Sequence, residues 1–267
     1  MDPADFDRLV ARAADPRLIP GIYNYCDGRC GRCPFTERCL TFLDNRELES
    51  AMEPTTIAEM VSTSLQRTLA ILTEVARREE IDLEDAANGD AAGSNGDDPG
   101  RHTRDPLAAG ARQYAELAWR IAQALQPVVA RRGDPAVIGA VDTIAWFSTL
   151  ISAKIRRAIC GQSDGWEDRD GVQTDHNGSA KVALLGIAES RAAWAVLMEA
   201  GRATADGVPA QAVKMLDRLE CDLRTRFPRV NEFVRPGFDD TTAPIRSARE
   251  AGEGERSTGR PPAAGHG

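Results

Sequence analysis

Four of the chain's six cysteines fall within fourteen residues, at Cys26, Cys30, Cys33 and Cys39. They lie in the stretch Tyr23-Asn-Tyr-Cys26-Asp-Gly-Arg-Cys30-Gly-Arg-Cys33-Pro-Phe-Thr-Glu-Arg-Cys39-Leu40, with the spacing C-x3-C-x2-C-x5-C. Clustered thiols are metal ligands once deprotonated, and a chain without export signals favours that use over disulfides. Gly28 and Gly31 let the backbone turn between ligands, because glycine reaches positive φ at no steric cost.

Ligand count alone does not choose between metals, since zinc and iron–sulfur clusters both accept four thiolates. Spacing does more. Structural zinc sites pair two short Cys-x-Cys units across a longer finger, and no room for a finger exists between Cys26 and Cys39. A compact run suits ferredoxin-style ligation, in which one loop wraps a larger cluster, and Cys33-Pro34 matches the Cys-Pro that closes such runs. Arg29, Arg32 and Arg38 are expected to lower the thiol pKa values and to offset an anionic cluster. The expected cofactor is therefore a [4Fe–4S] cluster on Cys26, Cys30, Cys33 and Cys39, with zinc on the same four residues as the alternative.

Three resemblances attach to these residues. Cys26-x3-Cys30-x2-Cys33 is similar in spacing to the radical SAM cysteines. That chemistry sits on a β/α barrel, which a helical pattern does not supply, and Cys39 would fill the iron position left open for the cosubstrate. Cys30-Gly-Arg-Cys33-Pro-Phe-Thr-Glu-Arg-Cys39-Leu40 resembles the C-x2-C-P-x4-C-L core of WhiB-like proteins, which are [4Fe–4S] regulators. This resemblance implies cluster chemistry on Cys30, Cys33 and Cys39, with Cys26 as a differently placed fourth ligand. Most of the chain resembles an uncharacterised family of bacterial helical proteins. The shared segments are Ile22-Tyr-Asn-Tyr-Cys26 with its cysteine run, Asn177-Gly-Ser-Ala-Lys-Val-Ala-Leu-Leu185, Ala192-Ala-Trp194 and Phe233-Val-Arg-Pro-Gly-Phe238. That likeness implies a helical fold and no particular reaction.

Other constellations carry less. Asp142 and Glu189 on apolar helices invite a di-iron reading, but the three histidines, His102, His176 and His266, fall in a linker, a loop and a tail. Both carboxylates are expected to pair with Lys154, Arg191 or another helix, or to face solvent. The acidic loop Asp164, Glu167, Asp168, Asp170, Gly171, Asp175 fails as an EF-hand, because a glycine at the sixth position puts Trp166 first and Asn177 twelfth. Asn177-Gly-Ser179 reads as a helix start rather than a glycosylation site. Cys160, Cys221, Trp119, Trp146 and Trp194 are expected in the core. No phosphate loop, Ser/His/Asp set or Cys/His pair can be assembled, so these residues do not support an enzyme.

The formal net charge of -8 excludes nucleic-acid binding by general charge, although not a local basic patch. With 42% hydrophobic residues in 267, a buried core is within reach. No apolar run follows a basic start, and Arg, Asp or Glu interrupt the apolar runs below bilayer-spanning length. A cytoplasmic protein acting through a protein partner is expected, with no membrane contact.

The elements that must position the cysteines are helical. A short amphipathic piece precedes them, using Phe6, Leu9 and Val10. Pro34 and Thr36 start a short helix carrying Cys39, Leu40, Phe42 and Leu43. Glu53-Pro-Thr-Thr56 starts another, with the stripe Ile57, Val61, Leu65, Thr68, Leu72, Val75. Residues 84–105 are small, polar and unpatterned, and read as a flexible linker. Three long helices follow, on Leu117, Ile121, Leu125, Val128, then Val137, Val141, Ile144, Ile151, Ile155, Ile159, then Ser179 to Gly201. The last of these is apolar on most sides and so central. A final helix opens at Val208-Pro209, uses Val213, Leu216, Leu219, Leu223 and Phe227, and stops at Pro228. The expectation is an all-α bundle of about five long helices with an N-terminal cysteine-rich metal-binding loop. Its parts are a cysteine-rich segment at 1–53, the bundle at 54–237 with its linker, and a disordered tail at 238–267.

Overall fold

Aspartates before prolines launch two of the long helices. In the computed structural model, which describes residues 3–51, 56–83, 104–131, 134–162, 171–201 and 207–239, the Asp105 carboxylate accepts from the amides of Leu107 (2.9 Å) and Ala108 (3.4 Å). Asp134 does the same for Ala136 (3.0 Å) and Val137 (3.5 Å). Each satisfies amide groups that have no partner within a helix, and the proline that follows has no amide to satisfy. These caps open α4 (Pro106–Ala130) and α5 (Pro135–Gly161), ahead of α6 (Asp175–Glu199) and α7 (Val208–Arg226). Thr174 caps α6 through the Asn177 amide at 3.3 Å, so the helix starts before the expected Ser179.

The four helices close a ring, α5 between α4 and α6, and α7 against α6 and α4. Their facing stripes fill one core, in which Tyr114, Ile144, Ile151, Ile155, Ile187, Trp194, Leu216 and Leu223 are almost wholly buried. Each such side chain contributes about 1.5–3 kcal/mol by leaving water, less what ordering it costs. The described residues contain no strand, and the all-α class is as expected.

Seven α-helices are described where about five were expected, and four of them build this core. On α4 the buried position is Val129, whereas Val128 is exposed, a slip of one residue at the helix end. Trp194 is in the core as expected, but Trp119 and Trp146 are more than two-fifths exposed and Cys221 is exposed. By length and composition α5 could cross a bilayer even though Asp142 interrupts its apolar run. Here its apolar stripe is the centre of the bundle.

The N-terminal helices form a separate layer. α1 (Pro3–Ala13) is tied to α2 (Leu40–Ala51) by Arg12 and Asp44 at 2.9 Å. It meets the end of α3 (Ile57–Arg78) where Arg78 lies over the Phe6 ring at 4.4 Å and pairs with Asp7 at 2.7 Å. Thr56 and Glu59 form the reciprocal capping box that opens α3. The apolar stripe of α3 is not buried: Val61, Leu65 and Leu72 are all exposed. The expected linker at 84–105, apart from Arg104 and Asp105, lies outside the described residues, as do Asp164, Glu167, Asp168 and Asp170 and the tail beyond residue 239.

Candidate metal centre

The cysteine loop is closed by one backbone bond, from the Ile19 amide to the Arg38 carbonyl at 2.9 Å. Between these ends run three single 3-10 turns, Ile22–Asn24, Cys30–Arg32 and Thr36–Arg38. Gly28, between Cys26 and Cys30, takes φ +71°, whereas Gly31 is not left-handed and keeps free space at its Cα. The expected helix at Thr36 is a 3-10 turn, with Cys39 in extended backbone before α2 starts at Leu40.

All four thiols line one small apolar cleft of about 20 Å³, together with Ile22, Phe42 and Phe238. A small hydrophobic cluster of Ile19, Ile22 and Phe35 sits beneath it, with Cys33, Cys39 and Phe238 packed on it. The sulfurs are free thiols. Cys26 Sγ donates to the Tyr23 carbonyl at 3.5 Å, and Cys33 Sγ accepts from the Phe35 amide at 3.5 Å. Cys30 is the exposed member of the set. Among the described residues, no three His, Cys, Asp or Glu side chains are gathered closely enough to hold a metal ion. The four thiols line the same cleft without meeting at a point.

Distant residues seat this loop on α5 and α6. Tyr25 packs edge-on against Phe233, with ring centroids 4.8 Å apart, and its hydroxyl donates to Asp175 at 3.2 Å. The Tyr25 ring lies on the backbone of α6 at Gly178, where a Cβ would come within 2.3 Å of it. Lys154 donates to the Asn24 carbonyl at 2.5 Å. Arg157 forks onto Asp175 at 2.6 and 2.8 Å and also reaches the Asn24 side chain. The Trp146 indole donates to the Asp27 carbonyl at 2.8 Å, and its ring would stand 3.1 Å from a Cβ at Gly28. Gly237, at φ +76°, brings the Phe233–Phe238 segment against Ile19 and Ile22.

The arginines do not act as expected. Arg29 lies over the rings of Trp146 (5.8 Å) and Phe147 (5.4 Å) and pairs with Asp142 at 3.3 Å. Arg32 pairs with Asp27 at 2.8 Å, and Arg38 donates to the Arg17 carbonyl at 3.2 Å. They hold the loop's shape. Burial pushes the Cys26 thiol up despite the nearby Lys154. Burial also pushes the Cys30 thiol up, followed by the charges of Cys26, Cys39 and Cys33, as four thiolates in one place must when no cation offsets them.

Tyr25 yields a pH prediction. Burial first, then Asp175, pushes its phenol from 10.0 up to about 12. Below pH 10 the phenol is neutral whether docked or free, and the docking contribution is whole. As pH rises through about 12 the free form gains by ionising, so the contribution is lost. Phenolate absorbance and thermal melts from pH 9 to 12 are expected to show destabilisation that is absent in Tyr25→Phe, in about this window.

Sequence reasoning missed Trp146, Lys154, Arg157, Asp175 and Gly178 as parts of this site. Asp142 and Glu189 both face solvent, as one of the expected alternatives had it, and neither pairs with Lys154 or Arg191: Asp142 meets Arg29, Lys154 meets Asn24, and Arg191 pairs with Asp217 (2.9 Å) and Glu220 (2.6 Å). Glu189 is exposed on the rim of a cleft beside Cys33 that Arg29, Arg32 and Arg235 also line. No protein-family model, no curated protein and no solved structure matches this chain.

Proposed function

We propose that Cys26, Cys30, Cys33 and Cys39 hold a [4Fe–4S] cluster for electron transfer or redox sensing. The observation that carries this reading is that one loop brings all four thiols to a single apolar cleft. Four cysteines within fourteen residues, with no room for a finger between pairs, suit the one-loop ligation of a cluster better than a structural zinc site. The donor set fits too, with four cysteines from one loop and no histidine lining the cavity. When bound, such a cluster supplies a one-electron couple whose potential follows its exposure and hydrogen bonding.

The chain's own residues have separate tasks in this reading. Ile22, Phe42 and Phe238 keep water from the ligands, while Cys30 marks the solvent-facing edge at which a protein partner comes nearest. The Lys154, Arg157 and Asp175 network holds Asn24, two residues before the first ligand. Four protein ligands leave no coordination position for a substrate, which favours a redox or structural role over catalysis at the metal. A zinc knot stapling the loop to the bundle is the competing reading.

Anaerobic purification followed by iron, sulfide and zinc analysis separates the two. About four irons per chain with a broad visible charge-transfer band are expected. One zinc per chain and no colour would overturn the cluster. Cys33→Ser is expected to lose the iron, and full retention would remove Cys33 from the ligand set.

A further inference from the structure

We propose that Lys154, on α5, supplies a fixed positive charge that raises the reduction potential of the centre in the cysteine loop, an inference that rests on the cluster reading above. Its ammonium is half-buried and donates to the Asn24 carbonyl at 2.5 Å, two residues before Cys26. That carbonyl satisfies one of its three donors and none of its charge. Among the described residues no carboxylate stands within ion-pair distance of Lys154. Cations drawn out of water are ordinarily paired. Here the carboxylates around the loop's seat are engaged elsewhere: Asp175 by Arg157, Asp27 by Arg32 and Asp142 by Arg29.

The negative charge that Lys154 meets is that of the ligand set. At the Cys26 thiol, burial pushes the pKa up and the Lys154 charge opposes it. Burial and then Arg157 push the Lys154 ammonium down, and Cys26 opposes them in turn. The position is rigid, because Ile151 and Ile155 on the same helix are wholly buried in the core. The arginines nearby are placed otherwise: Arg29, Arg32 and Arg157 each face a carboxylate that offsets them at short range, and Arg38 is held by the Arg17 carbonyl. Reduction by a one-electron donor, such as a redox-protein partner, adds one negative charge among the four sulfurs and makes or breaks no bond to the chain. A fixed cation beside Cys26 stabilises that added charge more than it stabilises the oxidised state, and so favours reduction. Partial burial keeps water and salt from screening the effect as they do at the surface.

Anaerobic potentiometric titration of the iron-loaded full chain with dithionite, followed by its visible band, tests this. Lys154→Gln keeps a donor for the Asn24 carbonyl and removes the charge, whereas Lys154→Arg keeps the charge. The Gln variant is expected to be about tenfold harder to reduce in equilibrium constant, about 59 mV for a one-electron couple, and the Arg variant to match the wild type. A Gln variant with iron and an unmoved potential overturns this proposal and leaves the cluster reading standing. So does an Arg variant that shifts as far as Gln, since the donor geometry and not the charge would then be at work. If Lys154→Gln loses its iron, the melting of the metal-free proteins decides. Wild-type melting, with iron kept by Lys154→Arg, supports the charge, and lowered melting assigns Lys154 to holding the loop and overturns the proposal. A wild type that carries no iron overturns the cluster reading and this proposal together.

Discussion

Gly178→Ala is expected to lower stability by about 1–3 kcal/mol and to loosen the cysteine loop from the bundle. Two opposed effects meet at this position. Alanine in a helix interior is favoured over glycine by about 1 kcal/mol. Against that, its Cβ would lie 2.3 and 2.5 Å from two atoms of the Tyr25 ring and 2.6 Å from Phe233. Neither ring can yield alone, because Tyr25 and Phe233 are packed on each other and the Tyr25 hydroxyl is held by Asp175. Overpacking wins. Gly139→Ala on α5 has nothing within 4 Å of the new Cβ and is expected to gain about 0.5–1 kcal/mol instead. Chemical denaturation of the two variants, with iron content of the purified proteins alongside, reads both effects. A Gly178→Ala protein as stable as the wild type would show that Tyr25 does not rest on α6.

Trp194→Ala is expected to cost more, about 3–5 kcal/mol, while leaving the loop in place. Trp194 is fully buried, and its indole donates to the Tyr114 hydroxyl at 3.2 Å. Alanine would leave a cavity among α4, α5, α6 and α7 and take a partner from a buried hydroxyl. Trp194 lies sixteen residues beyond Gly178, about 24 Å along the same helix. Urea midpoints should therefore fall sharply in Trp194→Ala while the iron content of the remaining folded protein stays at the wild-type level. Parallel loss of iron in this variant would mean that the loop's seat depends on the whole bundle and not on one end of α6. Together the two variants separate the scaffold from the site it carries.

Much of the scaffold was legible because its signals are local. Asp105-Pro106 and Asp134-Pro135 satisfy amide groups two and three residues ahead, so their meaning does not depend on the rest of the fold. The capping box at Thr56 and Glu59 is of the same kind. The helical spacing of Val141, Ile144, Ile151 and Ile155 needed only a core to face, and the chain was long enough to make one. The cysteine loop was likewise visible in its own spacing, since four thiols within fourteen residues can come together through local turns.

What surrounds those thiols was not legible. Tyr25 and Asp175 are 150 residues apart, and Trp146 and Asp27 are 119 apart. A sequence period fixes which face of a helix is apolar but not which segment covers it. Trp146 therefore read as a core anchor and is instead a donor to the loop. Arg29 and Arg32 read as charges for a cluster and are engaged by Asp142 and Asp27. For the same reason the helical period of the α3 stripe could not say what covers it, and Val61, Leu65 and Leu72 are exposed. Sequence alone thus determined the helices, their caps and the gathering of four cysteines in one loop, because those rest on interactions within a few residues. Tertiary structure decided where the loop sits, that its thiols line one apolar cleft, and that the α3 stripe is exposed among the described residues. Each of these depends on contacts between segments far apart in the chain, which no local spacing encodes.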